Sequence, residues 1–145
     1  MGRAAQIALL ADQVVELRRA AAETLEPSQR KRIERVAGRL RAELGESIPK
    51  ARAAALLGVS VTALEKWIAR DKLPVVARAR VEIDATALLD VAEEVRRLRE
   101  SGRTHALLAH AFARLEEKRR SVASILEAAE LIEAVSIVAA SVRNP

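Results

Sequence analysis

The sequence predicts a mainly α-helical fold, and three of its features support this. Half of the residues are apolar, yet Trp67 and Phe112 are the only aromatic ones, so Ala, Leu, Val and Ile must build the core. That set of residues favours helices. Glycine and proline are sparse, at five and four in 145 residues, which leaves room for long helices. Apolar residues also recur at alternating steps of three and four along much of the chain.

Residues 1–45 are predicted to form a helical hairpin. The first helix covers about 3–25, and the second begins at Pro27 and Ser28 and ends at Gly45, a suitable left-handed cap. Each helix has one apolar face. The residues predicted to face inward are Ile7, Leu10, Val14, Leu17 and Ala21 in the first helix and Ile33, Val36, Leu40 and Leu44 in the second.

The second helix of the hairpin is strongly basic. Between positions 28 and 44, six basic residues oppose only Glu34 and Glu43. The basic residues are Arg30, Lys31, Arg32, Arg35, Arg39 and Arg41. Two interpretations stay open: a solvated helix face, which is what most charge runs are, or an additional contact with phosphates.

The stretch AAALLGVSVTALEKWI, residues 53–68, predicts a helix-turn-helix. Ala54 is small enough to let two helices approach closely, and Gly58, four residues later, permits a sharp turn. Val59 fills the corner, and Ser60 is placed to cap the second helix. An ordinary helical hairpin is the alternative.

The second helix of this motif has an apolar and a polar face at about 100° per residue. The residues predicted to face inward are Val61, Leu64, Trp67 and Ile68. Thr62, Lys66 and Ala69 face outward, flanked by Glu65 and Arg70. In a major groove Lys donates to guanine O6 and N7, and Thr reaches base edges or phosphates. The outward face therefore has the composition of a DNA recognition helix.

The segment VVARARVEID, residues 75–84, predicts a short two-stranded hairpin, or wing. Its β-branched ends enclose a basic tip that contains Arg78 and Arg80. These arginines are placed to follow a phosphate backbone or to enter a minor groove. Alternatively, they only keep the edge strand of the ribbon from pairing with another chain.

From Ser47 to about Ala92 the sequence resembles the winged helix-turn-helix domains of excisionase and MerR-type proteins. Their pattern is AAxLLGVSxxTLxxWIxxGxLP, then a basic wing and an Ile-Asp step that opens a further helix. The matching positions are Ala53, Ala54, Leu56, Leu57, Gly58, Val59, Ser60, Leu64, Trp67, Ile68, Leu73, Pro74, Ile83 and Asp84. Asp71 stands where those domains often have glycine, and the wing tip ARAR lacks their usual glycines.

The resemblance implies that the recognition helix and the wing contact double-stranded DNA. Carried over by position, it assigns this role to Thr62, Lys66 and Arg70 on the helix, Arg78 and Arg80 on the wing, and Lys50 and Arg52 at the first helix. Ser60, Glu65 and Lys72 complete the predicted DNA-binding set.

Long helices are predicted after the wing. The first covers 85–100, with Asp84 as N-cap, and Thr104 is expected to cap a following run. Residues 122–142 place Glu127, Glu130 and Glu133 beside a wide apolar face, which must be buried against something. The predicted organisation is thus a hairpin (1–45), a central winged helix-turn-helix (46–101) and a helical oligomerisation or partner-binding region (102–145).

Other kinds of site find no support in the sequence. There is no cysteine, which excludes disulfides and thiolate metal sites. His105 and His110 are about 140° apart around a helix, so one helix does not aim both at a metal. No phosphate loop or catalytic set stands out. We therefore expect no enzyme activity, no cofactor and no metal.

Composition also bounds the location and the partners. Asp12 and Glu16 interrupt the first helix-like run, which argues against a signal peptide. The most apolar tract, 131–142, is roughly half as long as a membrane-spanning helix. We expect a cytoplasmic protein, associated with the nucleoid when bound to DNA, without membrane contact. The net charge of +5 permits a phosphate-binding surface.

Three hypotheses of function follow. The first is a sequence-specific DNA-binding regulator that acts as a homodimer, since one recognition helix reads only a few base pairs. The second is an antitoxin or adaptor that binds a co-transcribed protein through its flanking helices and regulates its own gene. The third is an excisionase-like factor that bends DNA.

Overall fold

The computed structural model describes residues 2–77 and 80–143. Among these residues there are six helices and three short strands. They are α1 (Arg3–Glu23), α2 (Pro27–Leu44), β1 (Ser47–Pro49), α3 (Lys50–Leu57), α4 (Val61–Ala69), β2 (Val75–Ala77), β3 (Glu82–Asp84), α5 (Ala85–Glu100) and α6 (Leu107–Arg143). The prediction of a mainly helical fold with a short wing is confirmed.

The N-terminal hairpin is formed by α1 and α2, which pack on each other. Glu26, not Ser28, caps α2: its carboxylate accepts from the backbone N–H of Ser28 at 3.1 Å and of Gln29 at 2.8 Å. The Ser28 hydroxyl also donates to this carboxylate, at 2.6 Å. The hydroxyl bond first, and the two backbone bonds after it, hold the pKa of Glu26 below its usual range. Gly45 ends α2 with a φ of 85°. Val36 was predicted to face inward but is exposed, because Ala37 takes the buried position beside it.

The small sheet has one strand more than the predicted two-stranded wing. Its order is β1-β3-β2, and both pairs are antiparallel. The strand that the prediction missed, β1, pairs Ile48 with Ile83, and both side chains are fully buried. Three residues that include a proline have no strand periodicity of their own, so β1 exists through its pairing with β3.

One hydrophobic cluster connects most of the elements. It extends from Ile7 and Val14 in α1, through the helix-turn-helix and α5, to Phe112 in α6. Asp84 caps α5 as predicted, because its carboxylate accepts from the Ala87 N–H at 2.8 Å. The core thus draws residues from all three predicted segments, and the division into 1–45, 46–101 and 102–145 stays a prediction.

The last helix, α6, is one uninterrupted run of 37 residues, roughly 55 Å long at 1.5 Å per residue. It begins at Leu107, so Thr104 does not cap it; the chain turns into α6 at Ala106, whose φ is 52°. Only its first turns are buried, at Leu108, Ala111 and Phe112. Among the described residues, no helix combines the length and apolarity that crossing a membrane requires.

Candidate nucleic-acid interface

The turn between α3 and α4 is built on Gly58. Its φ of 67° and ψ of 34° are left-handed, a conformation that glycine adopts without strain. The next residue, Val59, donates its N–H to the Ala54 carbonyl at 3.0 Å and closes the turn. A Cβ on Gly58 would lie 2.5 Å from the Arg99 guanidinium, which donates to the Leu57 carbonyl at 2.8 Å. The left-handed conformation favours glycine here, whereas the close contact is with the end of a flexible side chain that can shift.

Helix α4 begins at the predicted cap. The Ser60 hydroxyl accepts from the Ala63 N–H at 3.1 Å, one turn into the helix. Leu64 is fully buried, and Trp67 and Ile68 are half-buried, as predicted. Val61 is 38% exposed, which corrects its predicted inward position: Leu64, one turn later, makes the contact with the core. The apolar face of α4 is therefore shorter than the sequence predicts.

The other face of α4 is open to solvent. Its exposed residues are Val61, Thr62, Glu65, Lys66, Ala69 and Arg70. The Arg70 guanidinium lies 5.1 Å from the centre of the Trp67 ring, within the range of a cation–π contact. This contact holds the Arg70 charge beside the helix. It does not cover the other exposed residues of this face.

Trp67 joins α4 to α6. Its ring stacks on Phe112 with centroids 4.8 Å apart and an interplanar angle of 29°. Phe112 is buried, so α6 supports the inner side of α4 while the outer side stays open. The first turn of α6 also borders a groove beside Lys66 and Trp67.

Lys50 links the wing to the outer side of α4. Its backbone N–H donates to the Val81 carbonyl at 3.2 Å, and its Nζ lies 2.6 Å from the Glu65 carboxylate. Arg80, the residue before Val81, is exposed. The start of α3, the base of the wing and one edge of the exposed α4 face therefore meet at one surface.

The remaining predicted residues are placed differently. Arg52 is exposed on α3. Lys72 is not directed at this surface, because its ammonium forms an ion pair with Glu116 of α6. The hydrogen bond from Lys72 holds the pKa of Glu116 below its usual range. Arg78 lies outside the described residues.

No metal site accompanies these residues. Within 2–77 and 80–143, no group of three or more His, Asp or Glu side chains is placed to hold an ion. The ring nitrogens of His110 lie 2.9 and 3.1 Å from Arg103, a cationic neighbour that is unsuited to a metal. The open face of α4 offers three hydrogen-bond donors, the hydroxyl of Thr62, the ammonium of Lys66 and the guanidinium of Arg70.

Residues 4–85 match the family described as the MftR C-terminal domain, a C-terminal domain of TetR-type regulators. The match covers more than half of the chain. The chain belongs to this family. No curated protein and no solved structure matches it.

Membership in the MftR C-terminal domain family establishes a transcriptional-regulator domain. This agrees with the general expectation of a regulator. The family is not the excisionase or MerR-type one that the central sequence resembles, and the winged helix-turn-helix assignment stays a prediction. The matched region ends at the first residue of α5 and leaves α6 outside.

Two features of the structure were missed by sequence reasoning. Asp71, where glycine was noted as usual, has a φ of 56° and keeps the left-handed conformation that a glycine would adopt. Glu94 is 1% exposed beneath α6, where Lys118 contacts it and Arg97 and Arg114 lie 3.6 and 3.8 Å away. The left-handed conformation of Asp71 could have been predicted from the resemblance, because those domains often have glycine at this position. The Glu94 cluster was not, because its partners lie up to 24 residues away.

Proposed function

We propose that this chain binds double-stranded DNA sequence-specifically as a transcriptional regulator, with α4 in the major groove. The observation that carries the proposal is the open face of α4. Thr62, Lys66 and Arg70 are exposed on a helix whose opposite side is fixed by Leu64 and by the Trp67–Phe112 stack. A rigid helix with an open, cationic outer face is what major-groove readout needs.

The wing supplies the second contact in this proposal. Lys50 ties the base of the wing to Glu65 of α4, so Arg80 is carried close to the surface that faces DNA. An arginine beside a recognition helix fixes register by binding phosphates or by entering the minor groove. Arg78 is assigned the same role from the sequence.

The finer assignment, a winged helix-turn-helix arrangement, is supported by three features. Gly58 forms the left-handed turn, Ser60 caps α4, and Asp71 takes the left-handed conformation where the domains that the central sequence resembles often have glycine. Lys72 is paired with Glu116 in the free chain, and its assignment to DNA binding stays a prediction.

A homodimer is part of the proposal, and the distal part of α6 is its proposed interface. Nine large apolar side chains there are each more than half exposed. They are Val122, Ile125, Leu126, Leu131, Ile132, Val135, Ile137, Val138 and Val142. A patch of this kind on a water-exposed helix marks an interaction site. Two recognition helices on a twofold-related site would then read enough base pairs for useful specificity.

The charge pattern of α6 favours an antiparallel arrangement of the two copies. Residues 114–120 contain four basic and two acidic residues, whereas 127–133 contain three glutamates and no basic residue. Antiparallel helices that cross near Ile125 set the basic segment of each copy against the acidic segment of the other. Parallel helices would align like charges, which is unfavourable.

Selection of bound duplexes from a random-sequence DNA pool tests the proposed function. We expect enrichment of a twofold-symmetric sequence that the chain retains in a mobility-shift assay against excess unrelated DNA. A pool that shows no enrichment, together with no shift on the DNA upstream of the gene, would overturn the proposal.

The exposed α6 also favours a second candidate function, in which the chain is an antitoxin or adaptor. A co-transcribed protein would then cover this helix. The wide apolar face serves either partner. A stable dimer of the chain alone, with α6 buried in it, would argue against this candidate. An excisionase-like role would instead require a marked bend in the bound DNA.

A further inference from the structure

Helix α2 carries almost all of the net charge of the chain. Its 18 residues contain six basic and two acidic side chains, a net charge of +4, against +5 for the whole protein. The buried side of α2 is formed by Ala37 and Leu44. The excess of positive charge is therefore on a helix that packs against the body along one side only.

Two of the six basic residues serve the hairpin itself. Arg30 donates to the Thr24 carbonyl at 2.8 and 3.1 Å, and Arg41 donates to the Gly45 carbonyl and the Thr86 hydroxyl at 2.7 Å each. The other four, Lys31, Arg32, Arg35 and Arg39, are exposed. By helical geometry they lie within about 100° of one another, on the side away from Ala37. We call them the α2 cationic face.

The α2 cationic face is not neutralised by ion pairs, whereas nine other cations of the described residues are paired. Ion pairs hold Arg18, Arg19, Lys50, Lys72, Arg96 and Arg97, and also Arg114, Lys118 and Arg120. Across 2–77 and 80–143, no ion pair includes a residue of the α2 cationic face. Lys31, Arg35 and Arg39 also follow each other at steps of four, where like charges repel. An external polyanion would relieve that repulsion.

We propose that the α2 cationic face binds the phosphate backbone of DNA, in addition to the contacts proposed for α4 and the wing. From Lys31 to Arg39 the row is roughly 12 Å long, which matches three to four nucleotides at 3.4 Å per strand. Arginine and lysine on one open helix face bind phosphates without reading bases. The face would thus add affinity but not sequence preference. This inference rests on the proposed function.

The test compares two triple variants of the full chain. Arg32→Gln/Arg35→Gln/Arg39→Gln removes three charges from the α2 cationic face and keeps good helix formers. Arg32→Lys/Arg35→Lys/Arg39→Lys keeps the three charges at the same positions of α2 and serves as the matched control. The probe is a mixed-sequence 30-base-pair duplex, with fluorescence anisotropy measured across a salt series. Circular dichroism checks that each variant keeps its helices.

We expect the α2 variant to bind at least ten-fold more weakly near 0.1 M salt. The slope of log affinity against log salt should fall by about 2 to 3, since each phosphate contact contributes about 0.9. The control should keep a slope close to that of the wild type. An unchanged slope in the α2 variant would overturn this inference alone. A variant that loses self-association but not DNA affinity would also overturn it, because the face would then serve a protein. Wild-type protein without salt-dependent binding would overturn the proposed function itself.

Discussion

Two residues in left-handed conformation enclose α4. Gly58 precedes it with a φ of 67°, and Asp71 follows it with a φ of 56°. Glycine adopts this conformation freely, and aspartate is among the few other residues that tolerate it. The start and the end of the proposed recognition helix are thus set by backbone conformation at single positions. We therefore expect the turn to be sensitive to a Cβ at Gly58.

We expect Gly58→Ala to lower the free energy of unfolding by about 1–2 kcal/mol, from the cost of a left-handed alanine. The Arg99 guanidinium that its Cβ would meet is the end of a flexible side chain and can shift, so the backbone conformation sets the cost. Urea denaturation followed by circular dichroism measures the change. Gly38→Ala is the matched control: Gly38 is inside α2 with open space around it, so alanine should stabilise by about 0.5–1 kcal/mol. Equal effects at both positions would contradict the role of the turn.

At the scale of elements, α6 is attached to the helix-turn-helix by an aromatic stack and an ion pair. Phe112 stacks on Trp67 at one point, and Glu116 pairs with Lys72 at another. A hydrogen bond from a cation favours the ionised carboxyl, so the lowered pKa of Glu116 has a direct physical cause. The attachment of α6 should therefore respond to acid.

The sign of that response follows from linkage. Because folding lowers the pKa of Glu116, its contribution to stability is present above the unfolded pKa, about 4.3, and is lost as the pH falls through the lower folded value. We expect Lys72→Gln to melt at a lower temperature than the wild type at pH 7, with the difference shrinking toward pH 3. Thermal melts at a series of pH values measure this. A difference that stays constant down to pH 3 would show that the ion pair does not stabilise the fold.

Local patterns in the sequence predicted the elements better than the contacts between them. The steps of three and four residues located the helices, and the alanine, glycine and serine of the turn located α3 and α4. The strand β1 was missed because its signal is pairing with β3, across about 35 residues of chain. The ion pair of Lys72 was also missed, because nothing near Lys72 in the sequence reveals Glu116, 44 residues later. Long-range ion pairs have no sequence period to read.

At the scale of the whole molecule, α6 extends well beyond the core and leaves its distal apolar face uncovered by the described residues. Pairing with a second copy would bury that face. We expect the chain to sediment at twice its mass of 15.8 kDa. Charges placed within the interface should separate the copies, because an unpaired buried carboxylate is strongly unfavourable.

The variant Ile125→Glu/Ile132→Glu tests the α6 interface by analytical ultracentrifugation. Both side chains are 67% exposed in the single chain, so the substitutions should leave its fold intact and yield a monomer. Leu25→Glu is the control, since Leu25 is 89% exposed at the turn after α1 and should leave the dimer unchanged. A dimer that survives both glutamates would place the interface on another surface.

A comparison of two DNA affinities tests whether α4 reads base sequence in the major groove. The wild type and Lys66→Gln/Arg70→Gln are titrated by fluorescence anisotropy onto the selected duplex and onto a scrambled duplex at the same salt concentration. Each lost base contact costs about 1–3 kcal/mol of discrimination. We predict that the variant loses at least ten-fold of its preference for the selected duplex while its helices remain folded. A variant that keeps the wild-type preference would contradict the assignment of α4 as the recognition helix.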